Sequence, residues 1–304
     1  MKQFKIWLEA VRLRTLPVSL SGVLIALGLA KWNGSFRLAP AILCLVFALM
    51  AQIVSNFGNE YFDFKSGADK KGRAGFRRGV TEGDIKPETM RRVMIALLAA
   101  TCVVGLAMLA WVEPGYNYNN WLMLIVVGVL VAIFALAYSA GPYPLSYHAL
   151  GEVTVFVFYG LVPVIFTYYV VTGSFNPFAI MAGIAIGFMG VNVLLVNNYR
   201  DVDDDREAGK RTSVVVFGRP AASLAYLCNG FLAIAILTVL WLRMYYTMPL
   251  WTLLAPLVYI NLHFYTWMRL RRSEGSALNP LLGATARNML IFTLLLLIPL
   301  VLYS

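Results

Sequence analysis

The sequence predicts an all-α polytopic membrane protein of about nine transmembrane helices, two parallel four-helix repeats plus one around a central cavity. Three observations carry that prediction. Of 304 residues, 60% are apolar and only 13% charged, which is not the balance of a soluble, secreted or disordered chain. The bases are segregated: with a cytoplasmic N-terminus, 22 of the 25 Lys and Arg fall in cytoplasmic segments, and only Lys31, Arg37 and Arg243 fall opposite. Finally, one polar pattern occurs twice: Asn59, Tyr61 and Asp63 match Asn197, Tyr199 and Asp201, each pair 138 residues apart.

Residues 1–15 alternate bases with Phe4, Trp7, Leu8 and Val11, as an amphipathic helix lying on the bilayer surface does. Apolar runs bounded by Gly, Pro and charge clusters then place spans at 16–30, 38–57, 93–112, 121–140, 150–171, 177–197, 222–242, 249–268 and 288–303. The first follows Arg14-Thr15-Leu16-Pro17 and is succeeded by more runs like it, so it reads as a span and not as a cleavable leader. The second ends in the polar run Ser55 to Asp63, and a segment rich in Lys and Arg separates it from the third. The sixth carries a small-residue stripe, Gly183, Gly187 and Gly190, that permits close helix packing. It ends in the second polar run.

The whole chain, 1–304, reads as a single domain with pseudo-repeats at about 16–148 and 149–286. Cys44, Cys102 and Cys228 stand alone in apolar stretches, as small core residues. The net charge of +10 requires no nucleic acid, because positive-inside topology and an anionic leaflet account for it. The acids are more informative. Of fifteen Asp and Glu, only Glu113 lies clearly on the outer side, and most others crowd beside the bases at the ends of spans 2 and 6.

Helical spacing puts Asn56, Asn59 and Asp63 on one face, and Asn197, Asp201 and Asp205 on one face of the partner helix. Carboxylates near a bilayer repel one another unless a cation lies between them. With two histidines and no usable thiols, the ligands available are oxygens, which selects Mg²⁺. Asn59, Asp63, Asp69, Asp201 and Asp205 are the candidate ligands. The bases that follow, among them Lys65, Arg73, Arg78, Lys210 and Arg211, suit a diphosphate. An ion-paired transporter gate, or caps on two helix ends, is the competing reading of the doubled pattern.

These motifs resemble those of the UbiA superfamily of intramembrane prenyltransferases, and further its 1,4-dihydroxy-2-naphthoate polyprenyltransferase branch. The resemblance rests on Arg14 to Pro17, Asn56 to Asp63 with Gly67-Ala68-Asp69, Gly79 to Gly83, Tyr138 to Leu145, Tyr147-His148 with Leu150-Gly151-Glu152, Asn197 to Asp205, and Ala208 to Thr212. Glu60 stands where the family more often has Asp. The resemblance implies Mg²⁺-dependent transfer of a polyprenyl group from its diphosphate to dihydroxynaphthoate, with loss of the acceptor's carboxylate, at a plasma or inner membrane from a site facing the cytoplasm. Asp63, Asp201, Lys210, Arg211 and Tyr138 are then the expected catalytic residues. Asn56, Asn59, Lys65, Arg73, Arg78, Asn197, Asn198, Arg200, Tyr143, His148 and Glu152 are expected to bind substrate, with Arg14 at the acceptor carboxylate and His148 and Glu152, flanking the start of span 5, placed for a proton relay. Tyr61, Tyr138, Tyr143 and Tyr199 are the aromatics considered for stabilising an allylic cation. A family relative with another aromatic acceptor, and a cation-coupled transporter, are the alternative functions.

Overall fold

The computed structural model describes residues 2–111, 118–244 and 250–304. Glu113 lies outside the described residues. The elements in order are α1 (Lys2–Val11), α2 (Leu16–Trp32), α3 (Leu38–Lys65), α4 (Pro87–Leu109), α5 (Tyr118–Ala137), α6 (Gly151–Val155), a π-helical turn (Phe156–Leu161), α7 (Val162–Thr172), α8 (Pro177–Arg200), α9 (Val202–Glu207), α10 (Ser213–Arg243), α11 (Leu254–Leu270) and α12 (Asn279–Leu302). No strand occurs among the described residues. Among the described residues, eight helical segments are long and apolar enough to cross a membrane, α6 to α7 counting as one. The 17-residue α11, prolonged by the 3₁₀ turn Leu250–Leu253, fills the remaining expected position. The protein is a multi-pass membrane protein.

The helix that carries the second polar run is the most enclosed element. α8 packs against α10, α2, α12 and the π turn, and buries most of its length. Its glycine stripe explains the close approach: a Cβ on Gly160 of the π turn would lie 2.4 Å from Gly187 Cα. The stripe is thus a packing surface, as its small residues predict. The π turn widens the helix here and carries Phe158 and Tyr159 to the cavity wall. By contrast, α5 buries none of its residues and packs mainly on α3 and α4, with Phe134 stacked on Phe158 of the π turn, so one wall of the interior is thin and faces the surroundings of the bundle.

Both polar runs extend beyond their expected spans. α3 continues to Lys65, so Asn56, Asn59 and Asp63 share one unbroken helix. It ends where Gly67 adopts φ 74° and folds the chain back, with the Ala68 and Asp69 amides both donating to the Asp63 carbonyl, at 3.0 and 3.1 Å. Asp69 is thereby returned to the helix end. The second copy departs from the expected continuous face, because the helix breaks at Asp201 (φ −92°, ψ 9°) and Asp205 lies on the separate α9. Its amide still donates to the Asp201 carbonyl at 2.7 Å. Gly209, at φ 72°, makes the second return turn, and the Lys210 amide donates to the Asp205 carbonyl at 2.8 Å. A helix end followed by a left-handed glycine therefore brings a later charged residue back to the acids in each copy.

Candidate active site

A cavity of about 600 Å³ lies between α2, α3, α4, α5, the π turn, α7 and α8. One end is polar, lined by Asn56, Asn59, Asp63, Arg73, Arg78, Asn197, Asn198, Asp201, Asp205 and Lys210. The rest is apolar and aromatic, with Phe47, Leu106, Phe134, Phe158 and Phe166 on its walls. Leu106 and Ile133 line it and are 60% and 52% exposed, so the apolar end reaches the membrane-facing side of α4 and α5.

At the polar end, acids and bases alternate. Lys210 Nζ donates to Asp63 Oδ1 at 3.0 Å, and Arg78 stands 3.8 Å from Asp63 Oδ2. Asp69 pairs with Arg73 and, at 3.3 Å, with Arg78. Asp201 accepts from Arg200 at 2.6 and 2.7 Å and from Arg73 at 2.8 Å. Arg73 thus joins the two copies of the motif. Arg200 is further held by Asn197 at 2.8 Å and Asn279 at 3.0 Å. Gly75 threads between guanidiniums, where a Cβ would come within 2.9 Å of both Arg200 and Arg73.

Burial pushes the Asp205 carboxyl up to about 7, with Asp201 and Asp63 adding to the shift against Lys210. Burial likewise pushes Asp69 up to about 6, and Arg73 only partly offsets it. Burial would raise Asp201 too, but the hydrogen bonds and charge of Arg200 outweigh it and hold this carboxyl below its usual range. For Lys210, burial is outweighed by Asp63, so the ammonium is held above its usual value and stays charged. A site in which buried carboxyls stand close enough to raise one another invites a further cation. Its donors are all oxygens, which fits a hard divalent ion. Among the described residues, however, no group of three or more Asp, Glu, His or Cys side chains stands together, because Arg73 and Lys210 are interposed.

Other expected site residues are dispersed. Arg211 and Lys65 are exposed and do not line the cavity. Residues 210–212 run as a non-helical link, so alternate side chains face opposite ways: Lys210 and Thr212 line the cavity and Arg211 points out. Tyr143 is 58% exposed and stacks on His148, whose Nδ1 pairs with the Pro144 carbonyl at 2.9 Å. Glu152 accepts from Asn198 at 3.0 Å and from Ser213, tying α6, α8 and α10 together. Neither His148 nor Glu152 lines the cavity. Of the four tyrosines considered for the cation, only Tyr138 does; Tyr61 stacks edge-on against Phe62, and Tyr199 lies beneath Arg219. Arg14 lies 3.1 Å over the Phe76 ring, in a small pocket beside the main one that also contains Arg12, Arg73, Arg78 and Arg200.

The structure adds residues that the spacing does not single out. Arg12 sits at φ 57°, lines both pockets, and has a buried Nη2 without a hydrogen-bond partner. Tyr147 donates to Asp63 Oδ1 at 3.3 Å, its ring 4.8 Å below Lys210 Nζ. Ser139 donates to Asn59 at 2.6 Å, and Tyr159 from the π turn shares the wall with Tyr138. Only long-range folding assembles these contacts.

A model of the UbiA prenyltransferase family matches residues 19–294. The 1,4-dihydroxy-2-naphthoate octaprenyltransferase of Escherichia coli (strain K12) is 32% identical over 291 residues, 95% of this chain and 92% of that protein. Two solved structures share the fold. The apo UbiA homolog from Aeropyrum pernix K1 superposes with a TM-score of 0.69 at 15% identity, over 92% of this chain and 97% of that one. The UbiA homolog from Archaeoglobus fulgidus bound to GPP and Mg²⁺ gives 0.60 at 14% identity, over 93% and 98%.

Proposed function

The chain belongs to the UbiA prenyltransferase family, and on that premise we propose that it transfers a polyprenyl group from polyprenyl diphosphate to 1,4-dihydroxy-2-naphthoate with loss of the acceptor's carboxylate. Membership makes it a prenyltransferase, so the transporter alternative does not stand. The observation that carries the proposal is the continuity of one cavity: a base-rich polar end leads directly into an aromatic and apolar interior that reaches the outer side of α4 and α5. A substrate with a diphosphate head and a long hydrocarbon tail matches that division, and the tail can continue into lipid. The name of the Escherichia coli relative supports the acceptor.

In this reading Asp63, Asp69, Asp201 and Asp205, with Asn59, hold Mg²⁺, which supplies charge neutralisation to the leaving diphosphate when bound. The metal-bound UbiA homolog of the same fold supports this reading. Lys210, Arg73 and Arg78 take up the negative charge that develops as the C–O bond breaks, while Tyr138, Tyr159, Phe134 and Phe158 keep water from the allylic cation. The naphthalene ring forms the new C–C bond to that cation. The bond to its carboxylate then breaks, CO₂ departs, and the electron pair returns to the ring. Arg12, whose buried Nη2 has no hydrogen-bond partner, receives the acceptor's carboxylate, with Arg14 beside it. Incubating the purified protein with dihydroxynaphthoate, a polyprenyl diphosphate and Mg²⁺ yields, by mass spectrometry, a prenylated product lacking the carboxylate. Product that retains it, or transfer only to benzoate-type acceptors, moves the protein to another branch.

The same reading sets the site at the cytoplasmic face of a plasma or inner membrane, as the segregation of bases implies. Lys70 and Arg206 are exposed at the base-rich end. In a background without native cysteines, cysteine at either position reacts in intact cells only with a membrane-permeant reagent; labelling by an impermeant one reverses the orientation.

A further inference from the structure

The segment that follows Asp69 bears Arg73 and Arg78 and has little secondary structure of its own, yet its backbone is tied at two points by carboxylates. Near its root, Glu60 Oε1 accepts from the Val80 amide at 3.0 Å. Glu60 is 1% exposed, and its partner Val80 belongs to a small apolar cluster with Ile6, Val54, Phe57, Ile85 and Met90 that joins α1, α3, the segment and α4. It does not line the cavity. The turn it grips is compact, with Glu82, Gly83 and Ile85 amides donating to Arg78, Val80 and Gly79 carbonyls at 2.9, 3.1 and 3.0 Å. At the tip, Asp204 Oδ2 accepts from the Ala74 amide at 3.1 Å, while Asn279 donates to the Ala74 carbonyl at 3.2 Å. Asp204 does not line the cavity either.

We infer that Glu60 and Asp204 are positioning residues: they clamp the two ends of a strap, and thereby set the places of Arg73 and Arg78 against Asp69, Asp201 and the substrate. Both lie in the two acid-rich runs that also hold the candidate metal ligands. The geometry divides the runs instead: Asp63, Asp201 and Asp205 line the cavity and Asp69 pairs with the cavity bases Arg73 and Arg78, whereas Glu60 and Asp204 are bonded to backbone amides. Each anchor spans the strap from a different helix, Glu60 from α3 and Asp204 from α9. The strap therefore couples the two copies of the motif through backbone as well as through Arg73. That the two bases serve a diphosphate rests on the proposed prenyl transfer; the anchoring does not.

What an anchor needs is a hydrogen-bond acceptor of the right reach, and an amide oxygen provides one as well as a carboxylate does. A metal ligand needs the charge. Hydrogen exchange of the detergent-solubilised protein reads the anchor directly: Glu60→Ala speeds exchange at the Val80 amide by roughly tenfold and Asp204→Ala does so at Ala74, while Glu60→Gln and Asp204→Asn keep both near wild type. In turnover assays the Gln and Asn variants retain activity and the wild-type Mg²⁺ requirement. The Ala variants raise KM for polyprenyl diphosphate. Should Glu60→Ala not fold, the Gln variant and the Asp204 pair decide alone. Unchanged exchange in the Ala variants overturns the anchoring. Gln and Asn variants that protect the amides yet demand far more Mg²⁺ overturn the division from the metal ligands. Protected amides with no prenyl transfer by the wild-type protein would instead refute the functional reading and leave the strap intact.

Discussion

Asp63→Ala and Asp201→Asn each lower turnover by about a thousandfold or more, and neither copy of the motif rescues the other. The expectation follows from where the two carboxylates sit. Asp63 is shared by Lys210, Tyr147 and Arg78, and Asp201 by Arg200 and Arg73, so each is the hub of its own half of the polar end. If the two halves jointly hold a metal diphosphate, removing either charge forfeits several kcal/mol of stabilisation of the leaving group, and each 1.4 kcal/mol is tenfold in rate. Asparagine is the informative change at 201. It keeps an acceptor for the buried Arg200, whereas alanine would strand that charge at a cost of about 3–5 kcal/mol and confuse misfolding with lost chemistry. Exhaustive chelation abolishes the activity of the wild-type protein, and added Mg²⁺ restores it. Full turnover after chelation, or in either variant while its melting temperature in detergent is unchanged, contradicts the site.

How far the sequence discloses this arrangement depends on the range of the contact. Spans are legible because twenty apolar residues in a row have few alternatives, and each expected span falls mainly on a helix within the described residues, outside which Val112 and Pro249 lie, although α3, α8 and α10 run further than apolarity alone indicates. The extra length is polar and is held by tertiary pairing: Thr212 caps α10 at its start, and Gly218 (φ 81°, ψ 165°) with Pro220 kinks it before the apolar stretch. The pairing of Asp63 with Lys210, 147 residues apart, is legible only because the motif occurs twice and so proposes its own juxtaposition. Arg12, Ser139, Tyr147 and Tyr159 carry no such signal. Their places come from a strained residue after α1, a loop and a π turn, none of which has a period to read. Glu60 is a further case: it stands in the first polar run beside Asn59, yet its partner is a backbone amide twenty residues on, invisible to any side-chain pattern.

Lys210 and Arg211 are adjacent bases that composition cannot separate, and the structure assigns them different consequences. Lys210→Gln lowers kcat by roughly a hundredfold to a thousandfold, the usual loss when one preorganised charge or donor is withdrawn from a developing anion. Lys210 lines the cavity with its ammonium on Asp63 and its charge reinforced by that carboxylate, so it is in place before the diphosphate arrives and needs no reorganisation as the bond breaks. KM for the aromatic acceptor changes little, because Lys210 acts on the leaving group and the acceptor's carboxylate is received by Arg12 and Arg14. Glutamine is chosen so that Asp63 keeps a hydrogen-bond donor and the helix end survives. Arg211→Gln leaves turnover within about twofold, since an exposed charge outside the cavity contributes little across solvent. The link's alternation is what decides between the two: the Arg211 amide is fixed by the Tyr147 carbonyl at 3.0 Å, which holds the intervening side chain outward while Lys210 and Thr212 face in. Equal losses at both positions would mean that the link turns over when substrate binds and that the inward register seen here is not the working one.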